Sequence, residues 1–96
     1  MTEVERARLK ADIAKIKEFY GEGQLKKAIE ELFELINAIT NDDKENIIEE
    51  IADVEIMICQ LKMLLKCENK VEEIKRYKVD KQLKRMEKEK NEGLQV

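Results

Sequence analysis

Apolar positions recur along this chain at helical spacing, and three short polar breaks interrupt them. Leu9, Ile13, Ile16 and Tyr20 follow at steps of four, three and four, which is one face of a helix over about 3–20. Gly21-Glu22-Gly23 supplies the first break. A second helix over about 24–40 gathers Leu25, Ala28, Ile29, Leu32, Leu35, Ile36 and Ile39 on one broad face. The polar run Asn41-Asp42-Asp43-Lys44 predicts the next turn, with Asp42 and Glu45 spaced as a capping box. A third helix is expected over about 43–66. After it, Asn69 and Glu72 repeat the capping spacing. A fourth helix over about 70–90 opens apolar at Val71 and Ile74 and then becomes heavily charged. The tail from Asn91 to Val96 is expected to fray.

The third helix has a different pattern from the others. Eleven of the fifteen residues from Ile51 to Leu65 are apolar, and they cover nearly the whole circumference. An ordinary surface helix is thereby excluded. Three companion helices of similar length can hardly bury it on every side, and a 96-residue chain on its own has a marginal core. A second copy of the chain packed against this helix is the expectation.

Composition narrows the fold class. Apolar and charged residues each make up 43% of the chain, with no proline and three glycines, which favours an all-α single domain over 1–96. The formal net charge of −3 hides an asymmetry, because acidic residues dominate 30–55 and basic ones crowd 75–90. No basic stripe is interleaved with aromatics, so broad nucleic-acid binding is not expected. Cys59 and Cys67 lie eight residues apart; read as one helix, that spacing is about 12 Å, too far for a disulfide. With no histidine in the chain, zinc is not expected either. The N-terminus lacks an apolar signal core, and the stretch 51–65 is too short to span a bilayer and carries Asp53, Glu55, Gln60 and Lys62. A cytoplasmic protein without membrane partners is expected.

Two acidic pairs carry candidate chemistry. Glu31 and Glu34 lie three apart on the second helix, and Glu50 and Asp53 lie three apart on the third, so each pair shares a helix face. In an antiparallel hairpin turning at 41–44, residues 34 and 50 fall at matched depth, and four carboxylates surround one small volume. Unpartnered, they repel one another. A hard divalent cation removes the conflict, and an all-oxygen donor set selects Mg²⁺ or Mn²⁺.

The run Glu30-Glu31-Leu32-Phe33-Glu34 followed by Glu50-Ile51-Ala52-Asp53 resembles the Glu-Glu-x-x-Glu and Glu-x-x-Asp signature of MazG-like nucleoside triphosphate pyrophosphohydrolases. The flanking text from Asn46 to Met57, and Val71 to Lys78, is similar to short phage-type members. The resemblance spans about 18–87, while the first seventeen residues contribute little to it. It implies a four-helix MazG-like bundle completed by oligomerisation, as a homodimer or homotetramer. It also implies Mg²⁺-dependent cleavage of a nucleoside triphosphate between the α and β phosphates, giving a monophosphate and pyrophosphate. Carried over by motif, Glu31, Glu34, Glu50 and Asp53 are the metal ligands and catalytic groups.

Two further sets of residues follow from placement. Lys78, Lys81 and Arg85 share a face of the fourth helix with Val71, Ile74 and Tyr77, which suits either phosphate contacts or interhelical ion pairs. Tyr20 and Gln24, just before the second helix, are positioned to stack on and hydrogen-bond a base; Tyr20 serves equally as the last core residue of the first helix. The competing reading is a non-catalytic helical dimeric interaction module, or a nucleotide sensor, with the glutamates as solvated surface.

Overall fold

The computed structural model describes residues 1–92, which form four α-helices and no strand among them. These are α1 (Glu3–Tyr20), α2 (Gly23–Thr40), α3 (Lys44–Leu65) and α4 (Glu68–Glu92). Each helix starts and stops where local chemistry dictates. At α1, the Thr2 hydroxyl accepts from the Glu5 N–H at 3.1 Å and the Glu5 carboxylate accepts from the Thr2 N–H at 3.4 Å. That reciprocal capping box satisfies two otherwise orphaned groups. Gly21 closes α1 with φ 53° and ψ −125°, a backbone conformation open only to glycine, and its N–H donates to the Lys17 carbonyl.

The caps of α3 and α4 differ from the expected ones. Asp43, not Asp42, caps α3, accepting from the Asn46 N–H at 3.3 Å. Reversing the chain between α2 and α3 needs a left-handed residue, and Asp42 provides it at φ 52°, which displaces the cap by one position. Lys66 likewise turns left-handed and ends α3 at Leu65, so α4 begins at Glu68 with the Val71 N–H donating to the Cys67 carbonyl. Asn69 therefore lies within the first turn of α4, not ahead of it. Helix α4 continues through Asn91 to Glu92, and the rest of the expected frayed tail lies outside the described residues.

The chain divides into two compact units, one of residues 1–66 holding α1 to α3 and one from residue 67 onward holding α4. In the first, α2 and α3 pack closely as a hairpin and α1 packs chiefly on α3. Its core is small: Ala28, Val54 and Met57, flanked by Leu35 and Leu61, with Ile13 and Ala38 also buried. No helix among the described residues is long and apolar enough to cross a membrane. In the second unit, α4 carries exposed ion pairs along its own length, Arg76 to Asp80 at 2.7 Å and Lys75 to Glu72 at 3.3 Å.

The orientation of α2 departs from the expected broad apolar face. Its residues that are not exposed are Gln24, Ala28, Glu31, Leu35 and Ala38, at steps of four, three, four and three. Small Ala28 and Ala38 on this seam let the two backbones approach. A second stripe with the same steps, Leu25, Ile29, Leu32, Ile36 and Ile39, stands one residue round the helix and remains exposed, Ile29 at 57%. Phe33 beside it is 61% exposed. Ile51, Ile56, Ile58 and Leu64 of α3 are also exposed, so the apolar circumference of that helix is only partly covered within its own unit.

Candidate metal centre and its cavity

The hairpin sets the geometry of the acidic residues. Glu34 and Glu50 are equidistant in sequence from Asp42 at the turn, and so are Glu31 and Asp53. One carboxylate oxygen from each of the four lies within 4.8 Å of the corresponding oxygens of the other three. The structure thus brings together the full set of acidic candidates. Glu31 and Glu50 are half-buried against the seam, while Glu34 and Asp53 remain exposed at its edge.

Electrostatics at this point are unfavourable for the bare protein. Burial raises the Glu31 carboxyl above the ordinary carboxylate range, the charges of Glu34 and Asp53 raise it further, and Lys27 pulls it partly back. Desolvation likewise raises Glu50, followed by the charges of Glu34, Asp53 and Glu31. Moreover, the Oε2 atoms of both Glu31 and Glu50 are buried without a hydrogen-bond partner. Buried polar atoms are ordinarily paired. Two orphaned oxygens within a group of four carboxylates fit a hard divalent cation, which takes oxygen ligands and satisfies charge and lone pairs together.

A cavity of about 190 Å³ adjoins the cluster and shares Glu31 and Asp53 with it. Gln24, Lys27, Gln60, Ile16, Ile56 and Met57 complete its lining. Gln24 and Gln60 are 1% and 3% exposed, and the Gln24 Nε2 donates to the Gln60 Oε1 across the α2–α3 seam. Of the two base-contact candidates, Gln24 lines the cavity directly. Tyr20 does not line it; its ring packs edge-on to Phe19 with centroids 5.1 Å apart and lies 5.7 Å from the Lys27 Nζ. Lys78, Lys81 and Arg85 belong to the α4 unit.

Lys27 and Gln60 are the cavity residues that sequence reasoning passed over. Both signals were present as helical spacing. Lys27 stands four residues before Glu31, one turn up the same face, and Gln60 stands seven after Asp53, two turns along its own. Comparison with protein-family models, with curated proteins and with solved structures finds no match to this chain, so the likeness to MazG-like enzymes rests on the motifs themselves.

Proposed function

We propose that the chain is a Mg²⁺-dependent nucleoside triphosphate pyrophosphohydrolase, cleaving between the α and β phosphates to release a nucleoside monophosphate and pyrophosphate. The observation that carries this reading is the convergence of Glu31, Glu34, Glu50 and Asp53 within 4.8 Å, with two of their oxygens buried and unpartnered. A structural surface cluster has no reason to bury orphaned carboxylate oxygens; a site for a cation does. These four residues would hold Mg²⁺, with Mn²⁺ as a substitute. Bound there, the ion would offset phosphate charge and make water more acidic.

The chain's own groups supply the rest. Exposed Glu34 and Asp53 stand where solvent and substrate enter, and half-buried Glu31 and Glu50 anchor the cluster from the seam side. Lys27, electrostatically coupled to Glu31, is the cation that this unit places beside the carboxylates, and its ammonium suits a phosphate oxygen. The hairpin fixes both acidic pairs on rigid helices, so the groups are held in position before substrate binds.

Assembly belongs to the same proposal. The exposed stripe Leu25, Ile29, Leu32, Ile36 and Ile39 repeats the four-three spacing of the seam that packs on α3, which suits a second copy of the chain in a homodimer or homotetramer. The same stripe favours the second reading, a non-catalytic helical interaction module. Pyrophosphate release from a panel of nucleoside triphosphates separates the two. Turnover that requires Mg²⁺ or Mn²⁺ supports the enzyme. No release from any member, by a folded protein with either ion, leaves the interaction module.

A further inference from the structure

We infer that Gln24 and Gln60 form a nucleobase subsite, in which the paired amides read the hydrogen-bonding edge of the substrate's base; this rests on the pyrophosphohydrolase reading for the phosphates.

The amide pair is unusual for a core feature. Gln24 is 1% exposed, yet its Oε1 has no hydrogen-bond partner. A structural amide pair is normally retained with its polar atoms satisfied. Here a single bond joins the two side chains, Gln24 Nε2 to Gln60 Oε1, and it uses neither the Gln24 oxygen nor the Gln60 amide hydrogens. The bond leaves one acceptor and one donor on the pair. The Watson–Crick edge of a nucleobase presents the complementary arrangement, a donor next to an acceptor.

Position agrees with that chemistry. Gln24 and Gln60 line the same cavity as Glu31 and Asp53, seven residues away on each helix. Two helical turns amount to about 10 Å along the hairpin, which leaves room for a base ring and sugar between the amides and phosphates at the carboxylates. Ile16, Ile56 and Met57 give the cavity apolar walls suited to the faces of a planar heterocycle, and Lys27 also lines it. A volume of about 190 Å³ accommodates one ring system, with the remainder of the nucleotide directed to the open carboxylate side.

The test measures equilibrium binding of the four nucleoside 5′-(α,β-methylene)triphosphates and of tripolyphosphate with Mg²⁺. Wild type is compared with a Gln24→Leu/Gln60→Leu double variant and with Gln60→Glu. Wild type should discriminate among the bases by about tenfold or more, since a site built on buried hydrogen bonds rejects a mismatched edge. The double variant, in which both polar partners are removed together, should bind the four analogues about equally while tripolyphosphate binding persists. Gln60→Glu keeps the bond from Gln24 but replaces a donor by an acceptor, so it should shift preference towards guanine, whose N1–H and N2–H₂ are adjacent donors. Unchanged base ranking in either folded variant overturns the subsite. Phosphate-free nucleosides, titrated by NMR, keep its failure distinct from failure of the enzymatic reading. Nucleoside binding lost in the variants supports the subsite even without turnover. Turnover with no nucleoside binding and no base discrimination overturns it and leaves the hydrolase intact.

Discussion

The carboxylates of Glu34 and Glu50 meet across the α2–α3 hairpin from positions equidistant from Asp42, so one turn sets the register of both acidic pairs. Because one oxygen from each of the four carboxylates lies within 4.8 Å of the others, removing charge from one should weaken binding of the proposed cation. For Asp53→Asn, an exposed and nearly isosteric change, Mg²⁺-dependent pyrophosphate release should fall by about two orders of magnitude or more. Mn²⁺ affinity, followed by electron paramagnetic resonance, should drop in parallel, with helix content by circular dichroism unchanged. Wild-type turnover in this variant would remove Asp53 from the site.

A second prediction concerns the metal-free protein. Glu31 and Glu50 hold protons more tightly in the folded chain than in the unfolded one, because burial and neighbouring carboxylates oppose their ionisation. Their contribution to stability is therefore full at low pH. It is lost as pH rises from the ordinary carboxylate range through their raised values. In EDTA, the Tm of wild type relative to Glu50→Gln should fall over that interval. Mg²⁺ at neutral pH should restore wild type and leave the variant nearly unmoved. Parallel pH curves for the two proteins in EDTA would refute the repulsion.

Met57 tests the core. It is 3% exposed and joins Ala28 and Val54 at the centre of a small cluster. Met57→Ala should cost about 3 kcal/mol in urea unfolding, from lost burial and the space left behind. A loss below about 1 kcal/mol would mean that the surrounding helices close over the gap.

Gly21 and Gly23 form a matched pair, since neither would bring a new Cβ within 4 Å of a neighbour. Any difference between them then comes from the backbone. Gly21→Ala, at φ 53° and ψ −125°, should destabilise by about 1–2 kcal/mol. Gly23→Ala, inside α2, should be neutral or stabilising by about 0.5 kcal/mol. Equal effects in thermal melts would contradict the turn geometry.

The exposed stripe on α2 makes the assembly testable. Ile29→Glu with Ile36→Glu places two charges on it without touching the α3 seam. Sedimentation should show wild type as a dimer or tetramer and the variant as a monomer with its helices retained. A monomeric wild type at micromolar concentration would remove the assembly proposal.

Much of this arrangement was legible in residue spacing. The four helices follow from apolar periodicity and the polar breaks between them, and the meeting of Glu31, Glu34, Glu50 and Asp53 follows from two i, i+3 pairs mirrored about a polar turn. The identity of the seam was less legible. Hydropathy points to Leu25, Ala28, Ile29, Leu32, Leu35, Ile36 and Ile39, yet of these only Ala28 and Leu35 are covered, in a seam completed by Gln24, Glu31 and Ala38. Close backbone approach favours small residues at such a seam, and hydropathy alone does not weigh size. In the sequence Gln60 is only a polar interruption of an apolar stretch, because its partner, Gln24, lies 36 residues away. The cap at Asp43 hinged on a left-handed Asp42, a distinction between adjacent like residues that spacing does not make.

Because the acidic quartet and the amide pair both lie on the stretch from Gln24 to Gln60, the polar groups proposed for phosphate and base are written into one uninterrupted hairpin. Such a segment is portable. Grafted as a unit onto another antiparallel helix pair of the same spacing, it should carry its ligand set with it. A single residue inserted between the turn and Glu50 would rotate one helix face by about 100° and scatter that set while leaving a helix behind. Variation in length between the two acidic pairs would therefore be ruinous to the set.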